Sequence, residues 1–478
     1  MRYKVVGPPG TGKTRRLLNE VKKYVDKGVP LSRIGYFAFT RKAAGEARDR
    51  YLAKNEDLTK KDIQYFQTLH SLAFNQLGLK EENVMQDENY KSIGDTCGIQ
   101  IKYASYETNN WNGVFTSDSE YLSLINLARV KQISTMNQLD LNEHLSRIER
   151  DKLDAIDKEI ISYKNIYGLI DFNDMIQKFL DKGKTPEFDV MFVDEAQDLS
   201  LIQWSMIKKI EEDTKCDVWI AGDDDQAIFG WAGADVDSFI NWEAEEIPLK
   251  YSKRVPSSIQ KIALDVINRV RDNRLDKEYF PKDESGNIFQ VYKLSDINMS
   301  TGDWLILTRT KSLLKPIPTY LKKKGLFFES AQGNSIGKSL YEDIQYWSQL
   351  QKKVTLPEIQ LQRIKERIKG PMNLSLKWYD AFNNVSDSQI NYMKLLLLNN
   401  ENPTKDARIK VSTIHGAKGG EATNVVLLLN ETANTIKGAK KSIQKQDEEY
   451  RVWYVGLTRT MKNLYLIKCL NKSKEFKI

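Results

Sequence analysis

Short apolar runs alternate with longer amphipathic stretches from the start of the chain. Tyr3-Lys4-Val5-Val6 and residues 34–39, 190–193 and 218–221 are of buried-strand length, while residues 14–27 read as a helix. That alternation predicts a parallel sheet flanked by helices. Between about residues 77 and 170 the pattern turns helical and polar, with aromatics such as Tyr103, Tyr106 and Trp111. This stretch reads as a helical insertion into the first sheet domain. A second set of strand-like runs follows Val255, at 288–292, 304–307, 409–412, 424–429 and 464–467. Another helical stretch interrupts it. The expected fold is therefore α/β, with two parallel-sheet domains that each carry a mostly helical insertion. The first would comprise residues 1–76 and 171–255, with its insertion at 77–170. The second would comprise 256–335 and 405–478, with a short insertion at 336–404. Neither an internal repeat nor a low-complexity segment is apparent.

Composition narrows the class of protein. The 478 residues suffice for about three or four domains, and 29% charged with 41% hydrophobic residues is ordinary for a soluble globular protein. No apolar run approaches the ~20 residues that cross a bilayer, so no membrane partner is expected. The chain enters its first strand at once, which leaves no room for a signal peptide. Cys97, Cys216 and Cys469 form neither a metal pattern nor a disulfide framework, which points to a reducing, cytoplasmic compartment. Three histidines argue against a histidine-rich metal site. A net charge of +7 is compatible with a polyanionic partner without requiring one. Lys437, Lys440, Lys441 and Lys445 form the clearest basic cluster, expected as a solvated loop.

The chemistry begins at Gly7-Pro8-Pro9-Gly10-Thr11-Gly12-Lys13-Thr14, which fits G-x-x-x-x-G-K-[ST] between a strand and a helix. Glycines let successive N–H groups face one point, and the helix N-terminus adds a positive dipole end. Gly7, Gly10, Thr11, Gly12, Lys13, Thr14 and Arg15 are the expected nucleotide contacts, with Lys13 on the β- and γ-phosphates and the Thr14 hydroxyl on Mg²⁺. Asp194-Glu195-Ala196-Gln197-Asp198 follows the apolar run 190–193. Asp194 is placed to hold the same Mg²⁺, and Glu195 to polarise an attacking water as general base. Two adjacent acids at a buried strand end are costly without a cation. After a further strand, Gly222-Asp223-Asp224-Asp225-Gln226 is followed by Phe229 and Trp231. Those rings are core residues by default, or flat faces on which bases could stack.

Residues 222–235 resemble the third motif of the UvrD/Rep-like superfamily 1 DNA helicases, and further motifs follow in order. Ala38-Phe39-Thr40-Arg41-Lys42-Ala43-Ala44 resembles T-F-T-N-K-A-A, Thr68-Leu69-His70-Ser71 resembles T-x-H-S, and Asp171-Phe172-Asn173-Asp174-Met175 resembles D-F-D-D-L. Residues 194–198 are similar to the D-E-x-Q-D box, and Arg254 falls at the arginine of N-Y-R-S-x-x-x-I. Residues 411–421 resemble T-x-H-x-S-K-G-L-E, and residues 448–459 resemble E-E-R-R-L-x-Y-V-A-x-T-R. These ordered elements cover the chain from Gly7 to Arg459.

The resemblance implies two RecA-like P-loop domains and ATP with Mg²⁺ bound in the cleft between them. It implies that Arg254 and Arg459 neutralise charge on the transferring phosphoryl group. Because Arg459 belongs to the second domain, nucleotide would bridge the two and hydrolysis would release them. Gln226 would sense the γ-phosphate and Glu421 would accept a hydrogen bond from the ribose. Phe39, Phe229 and Trp231 would stack on single-stranded DNA, with Thr40, Arg41, His70, Thr413 and His415 along its backbone. The implied function is a monomeric ATP-dependent helicase moving 3′ to 5′ on single strands and at single-strand/duplex junctions, with replication or recombination proteins as further partners. The alternatives are an ATP-gated clamp, a protein-stripping translocase, or an enzyme that prefers RNA.

The departures are specific. Only six residues precede Gly7, so the segment whose glutamine reads adenine is expected to be missing. Lys253 stands where the family has an adenine-stacking tyrosine, which leaves room for GTP or dATP. Ala232 replaces a frequent arginine. Short insertions suggest a compact motor of the kind expected from a virus or plasmid.

Overall fold

The structure, a computed structural model, describes residues 1–106, 114–142 and 147–478; Trp111 lies outside them. The chain divides into two compact units. One comprises Met1–Arg254, Val266–Lys282 and Ser442–Tyr454; the other comprises Val255–Asp265, Asp283–Lys441 and Val455–Ile478.

In the first unit, β1 (Arg2–Val6), β2 (Ile34–Ala38) and β3 (Phe66–Gln67) come before a helical stretch. That stretch carries a small antiparallel hairpin, β4 (Ala104–Tyr106) and β5 (Phe115–Ser117). Then β6 (Val190–Asp194), β7 (Asp217–Gly222) and β8 (Glu245–Pro248) complete a sheet of order β3-β2-β6-β7-β1-β8 in which every pairing is parallel. Burial on both faces explains why the central strands β2, β6 and β7 read as apolar runs. Met191, Val193, Val218 and Ile220 pack on one side with Trp204 and Ile207. Val190, Phe192, Trp219 and Ala221 pack on the other with Leu17 and Val21. A ribbon of β9 (Tyr251–Pro256) and β10 (Phe280–Lys282) follows.

The helices between β3 and β6 have a core of their own around Ile93, Leu122, Ile125, Leu153, Ile156 and Ile160. Buried charges close it. Asp171 caps the helix Phe172–Lys182, and its Oδ2 accepts from Lys164 Nζ and Arg129 Nη1, both at 2.8 Å. Burial alone would raise the Asp171 pKa; Lys164 and Arg129 outweigh it and hold the carboxyl down at about 2.

In the second unit, β11 (Asn287–Val291), β12 (Trp304–Thr308), β13 (Phe328–Ser330), β14 (Gly333–Asn334), β15 (Ile409–Thr413), β16 (Ala422–Leu428) and β17 (Thr460–Ile467) form a sheet of order β11-β17-β16-β12-β15-β13-β14. Only the β13–β14 pairing is antiparallel. The helices Lys338–Gln351, Glu358–Glu366 and Asp387–Leu398 gather around Trp347, Phe382, Met393 and Leu396, a core separate from that of the sheet.

All nine apolar runs singled out from the sequence are strands. The unanticipated ones are β3, β4, β5, β8, β9, β10, β13 and β14, which are short and mostly polar or half-exposed. Of the lysine cluster expected as a loop, Lys437 and Lys445 are helical, in Ala433–Ala439 (capped by Thr432) and Ile443–Leu457, while Lys440 and Lys441 lie in the turn between these helices. Its lysines are exposed, as expected. Among the described residues, no helix is long and apolar enough to cross a membrane.

Asp171 yields a stability test. A carboxyl with a depressed folded-state pKa stabilises above the ordinary carboxylate range, and that stabilisation is lost as pH falls towards 2. Asp171→Asn keeps the cap acceptor but removes one of two carboxylate partners from Lys164 and from Arg129, which retain Asp174 and Asp157, so we expect a loss of about 2 kcal/mol near neutrality. Urea unfolding at pH 7 and at about pH 3 should show the gap between variant and wild type narrowing in acid.

Candidate functional site

Residues 7–14 turn from the end of β1 into the helix Lys13–Asp26. Gly10 and Gly12 take φ of +76° and +91°, a region that glycine enters without steric cost. A Cβ on Gly7 would lie 2.5 Å from Thr11 Oγ1, so the loop closes too tightly for a side chain there. Lys13 Nζ donates to Gly7 O at 2.7 Å, so the ammonium curls over the inside of the loop. No acidic residue occupies the first turn of the helix, which leaves its positive end for an anion. The loop is braced from outside. Ser252 Oγ and Tyr279 OH donate to Pro9 O at 2.8 and 3.2 Å, and Lys253 N donates to Gly10 O at 2.8 Å. A Cβ on Gly10 would meet Arg254 Cβ at 2.5 Å, so Arg254 stands against the loop within the same unit.

The end of β6 faces this loop. Asp194 is 4% exposed, and its Oδ2 accepts from Thr14 Oγ1 at 2.6 Å and from Tyr36 OH at 3.0 Å. Burial pushes its pKa up, the neighbouring Glu195 adds to the rise, and the two hydroxyls offset part of it. A hydroxyl and a destabilised carboxylate in contact are two hard oxygen donors, a set that fits Mg²⁺, which takes few protein ligands and keeps water or phosphate for the rest. Glu195 has φ of +54°, uncommon for a residue with a side chain and costing of order 1 kcal/mol. Gln197 Nε2 donates to Glu195 Oε2 at 2.6 Å, and Gln197 Oε1 accepts from Asp223 N at 3.0 Å.

The three aspartates after β7 are all buried. Lys277 Nζ lies 2.8, 2.6 and 2.9 Å from oxygens of Asp223, Asp224 and Asp225, and Arg274 grips Asp225 with two nitrogens at 2.8 and 3.2 Å. Gln226 Nε2 donates to Asp223 Oδ2 at 2.7 Å. Sequence reasoning reached Asp194, Glu195 and Gln226 but missed Tyr36, Ser252, Arg274, Lys277 and Tyr279, which no local motif announces. Gln197 was available as the fourth letter of its acidic box.

The aromatic residues divide by exposure. Phe229 is 1% exposed and tilts against Phe39 at 5.5 Å, whereas Trp231 is 47% exposed. Phe39, His70 and Phe229 line a cavity together with Asn126, Asn173 and Gln203. Loss of hydration, then the charge of Arg41, lowers the His70 pKa to about 4, so the ring is neutral at physiological pH. Thr40 caps the helix Arg41–Leu52 through Ala43 N, and Arg41 is exposed.

In the second unit, Thr413 ends β15 and accepts from Gly416 N at 3.1 Å, with His415 half-buried between them. Arg459 is 1% exposed and donates to Val455 O at 3.0 Å and to Gly420 O at 3.4 Å, next to the exposed Glu421. The first unit thus brings together Lys13, Thr14, Asp194, Glu195, Gln226 and Arg254, and the second brings Arg459 close to Glu421.

Two family models match the chain: the UvrD/REP helicase N-terminal domain over residues 2–246 and the UvrD-like helicase C-terminal domain over residues 376–471. The chain is 24% identical over 370 residues to the ATP-dependent DNA helicase PcrA of Leuconostoc citreum, covering 69% of this chain and 48% of that protein. It is 26% identical over 348 residues to the probable DNA helicase II homolog of Mycoplasma capricolum, covering 65% and 45%. With DNA helicase II of Haemophilus influenzae the identity is 25% over 311 residues, covering 60% and 41%. The chain therefore spans about half the length, or less, of these relatives.

The raised pKa of Asp194 has a measurable consequence. Keeping a buried carboxyl ionised costs stability above the ordinary carboxylate range, and that cost disappears as pH falls. Asp194→Asn preserves an acceptor for Thr14 and Tyr36 without the charge. Thermal denaturation of the ligand-free protein at pH 7 should give a Tm a few degrees above wild type. The advantage should shrink in acid, and Mg²⁺ should no longer raise the variant's Tm in the presence of nucleotide.

Proposed function

Since the chain belongs to the UvrD/REP helicase family, we propose that it is an ATP-dependent DNA helicase that moves 3′ to 5′ along single-stranded DNA and separates duplex ahead of it. The observation that carries the hydrolytic part is the 2.6 Å contact between Thr14 Oγ1 and Asp194 Oδ2, under a glycine loop whose inner face holds Lys13. The loop's N–H groups and Lys13 bind the triphosphate. Thr14 and Asp194 would hold Mg²⁺, which would supply charge neutralisation on the phosphates. Glu195, its carboxylate held by the Gln197 amide, takes the proton of the attacking water. Gln226 senses the γ-phosphate, and Arg254 neutralises charge from beside the loop. Arg459 is the proposed second cation and Glu421 the ribose acceptor, both from the second unit.

Single-stranded DNA is the proposed track. Trp231, half-exposed, is its stacking platform, and Phe229 with Phe39 backs the adjoining cavity. Arg41 meets phosphate by charge. His70, neutral at physiological pH, contributes a hydrogen bond instead. Thr40, Thr413 and His415 complete the proposed backbone contacts.

Strand displacement from duplexes carrying a 3′ or a 5′ tail, with ATP and with GTP, tests the reading. Displacement only from the 3′ tail is expected. Glu195→Gln should lower DNA-stimulated turnover by at least about 100-fold while leaving nucleotide binding intact. Persistence of unwinding in that variant would refute the role of Glu195. Trp231→Ala should cut the stimulation by single-stranded DNA about tenfold, in line with one lost base stack, and spare the basal rate. Hydrolysis stimulated by DNA without displacement would identify a translocase instead.

A further inference from the structure

The buried charges around Lys277 are more elaborate than holding a loop requires. Lys277 Nζ donates to Asp223 Oδ1 at 2.8 Å and to Asp224 Oδ1 at 2.6 Å, and forms an ion pair with Asp225 at 2.9 Å. Its side chain is 6% exposed and those of the aspartates 0–3%. The same segment adds Arg274 on Asp225 and the Leu275 N–H on Asp224 at 2.9 Å. Well-packed apolar residues stabilise a buried position at least as well as a charge cluster of this kind. What the cluster adds is direction.

Asp223 passes that direction on. Its Oδ1 meets Lys277, and its Oδ2 accepts from Gln226 Nε2 at 2.7 Å. Its N–H donates to Gln197 Oε1, which fixes the Gln197 amide so that Nε2 meets Glu195 at 2.6 Å. One hydrogen-bonded chain thus runs from Lys277 through Asp223, with one branch to Gln226 and another through Gln197 to Glu195. We propose that Lys277 is a positioning residue for hydrolysis, holding Asp223 so that Gln226 and Glu195 keep the orientations that turnover needs. The inference rests on the proposed roles of Glu195 and Gln226. It assigns a function to the stretch around residues 274–277, which none of the motifs covers.

Two neutralisations within one cluster separate positioning from bulk stability. Asp223→Asn and Asp225→Asn each remove one buried charge beside Lys277, but only Asp223 is bonded to Gln226 and Gln197. For each purified protein, Tm, affinity for a fluorescent ATP analogue, and kcat and KM for ATP with single-stranded DNA are measured. Asp223→Asn should lower kcat about tenfold or more with KM and analogue affinity within about twofold, whereas Asp225→Asn should keep kcat within about threefold at a similar loss of Tm. Gln197→Met leaves every charge in place and cuts the chain midway; it should reproduce the kcat loss, and it decides the matter if an aspartate variant fails to fold. Lys277→Arg keeps the charge but spreads its donors in a plane, and should behave as Asp223→Asn does. If kcat follows Tm alike in both aspartate variants, or Gln197→Met turns over normally, the positioning role is overturned. Glu195→Gln is measured alongside: full turnover in that variant sinks the hydrolytic reading itself, an outcome distinct from failure of the Lys277 chain.

Discussion

Carboxylates held out of water at the ends of two adjacent parallel strands are the constraint on which the first unit depends. Ionised groups in that position must find cations or hydrogen-bond donors, or give up their charge. The two strands resolve this differently. After β7, Lys277 and Arg274 offset part of the charge of the three aspartates: Lys277 is the main influence holding the Asp223 pKa down against its burial, while burial and the neighbouring aspartates leave that of Asp224 raised. At the end of β6, Asp194 is held by two hydroxyls and its pKa is raised. The cluster that carries two cations of its own serves as frame, and the carboxylate held by hydroxyls, with no ammonium or guanidinium of the described residues bonded to it, marks the place where a cation belongs.

That division explains what could be read from the sequence. The glycine loop, the acidic box and the Asp223–Gln226 run are local: each needs only a strand end and the few residues after it, so the pattern of apolar runs locates them. The long apolar strands were legible because burial on both faces leaves no polar interruption. Short edge strands were not, since β8 and β14 are held by pairing rather than by a buried side-chain pattern. Lys277 was out of reach for another reason. It sits 52 to 54 positions from its partners, and a lysine in a polar stretch looks like any solvated lysine until the fold buries it.

Arg459 shows the limit of inferring a role from residue type. An arginine singled out for the charge it offers to phosphate is 1% exposed here and donates to two backbone carbonyls of its own unit. Its proposed role requires the guanidinium to exchange such carbonyl contacts for phosphate oxygens, which bind it more strongly because they carry charge.

The same reasoning applies to the aromatic residues proposed to meet DNA. Stacking repays the ordering of a base only if the ring is already fixed, since a mobile platform would lose rotamer freedom on binding. Trp231 presents about half its surface, yet its loop has little freedom. Phe229 anchors it on one side from within the core. Gly233, at φ +96°, is so close to Val130 that a Cβ there would lie 2.4 Å from a Val130 methyl. On the other flank, a Cβ on Gly230 would lie 2.6 Å from Glu448 Oε1. Glycines let the loop approach a helix of the first insertion and the helix Ile443–Leu457 closely enough to be clamped by both. An exposed ring on a clamped loop is the arrangement that turns apolar contact into binding energy, and the buried Phe229 contributes by holding it there.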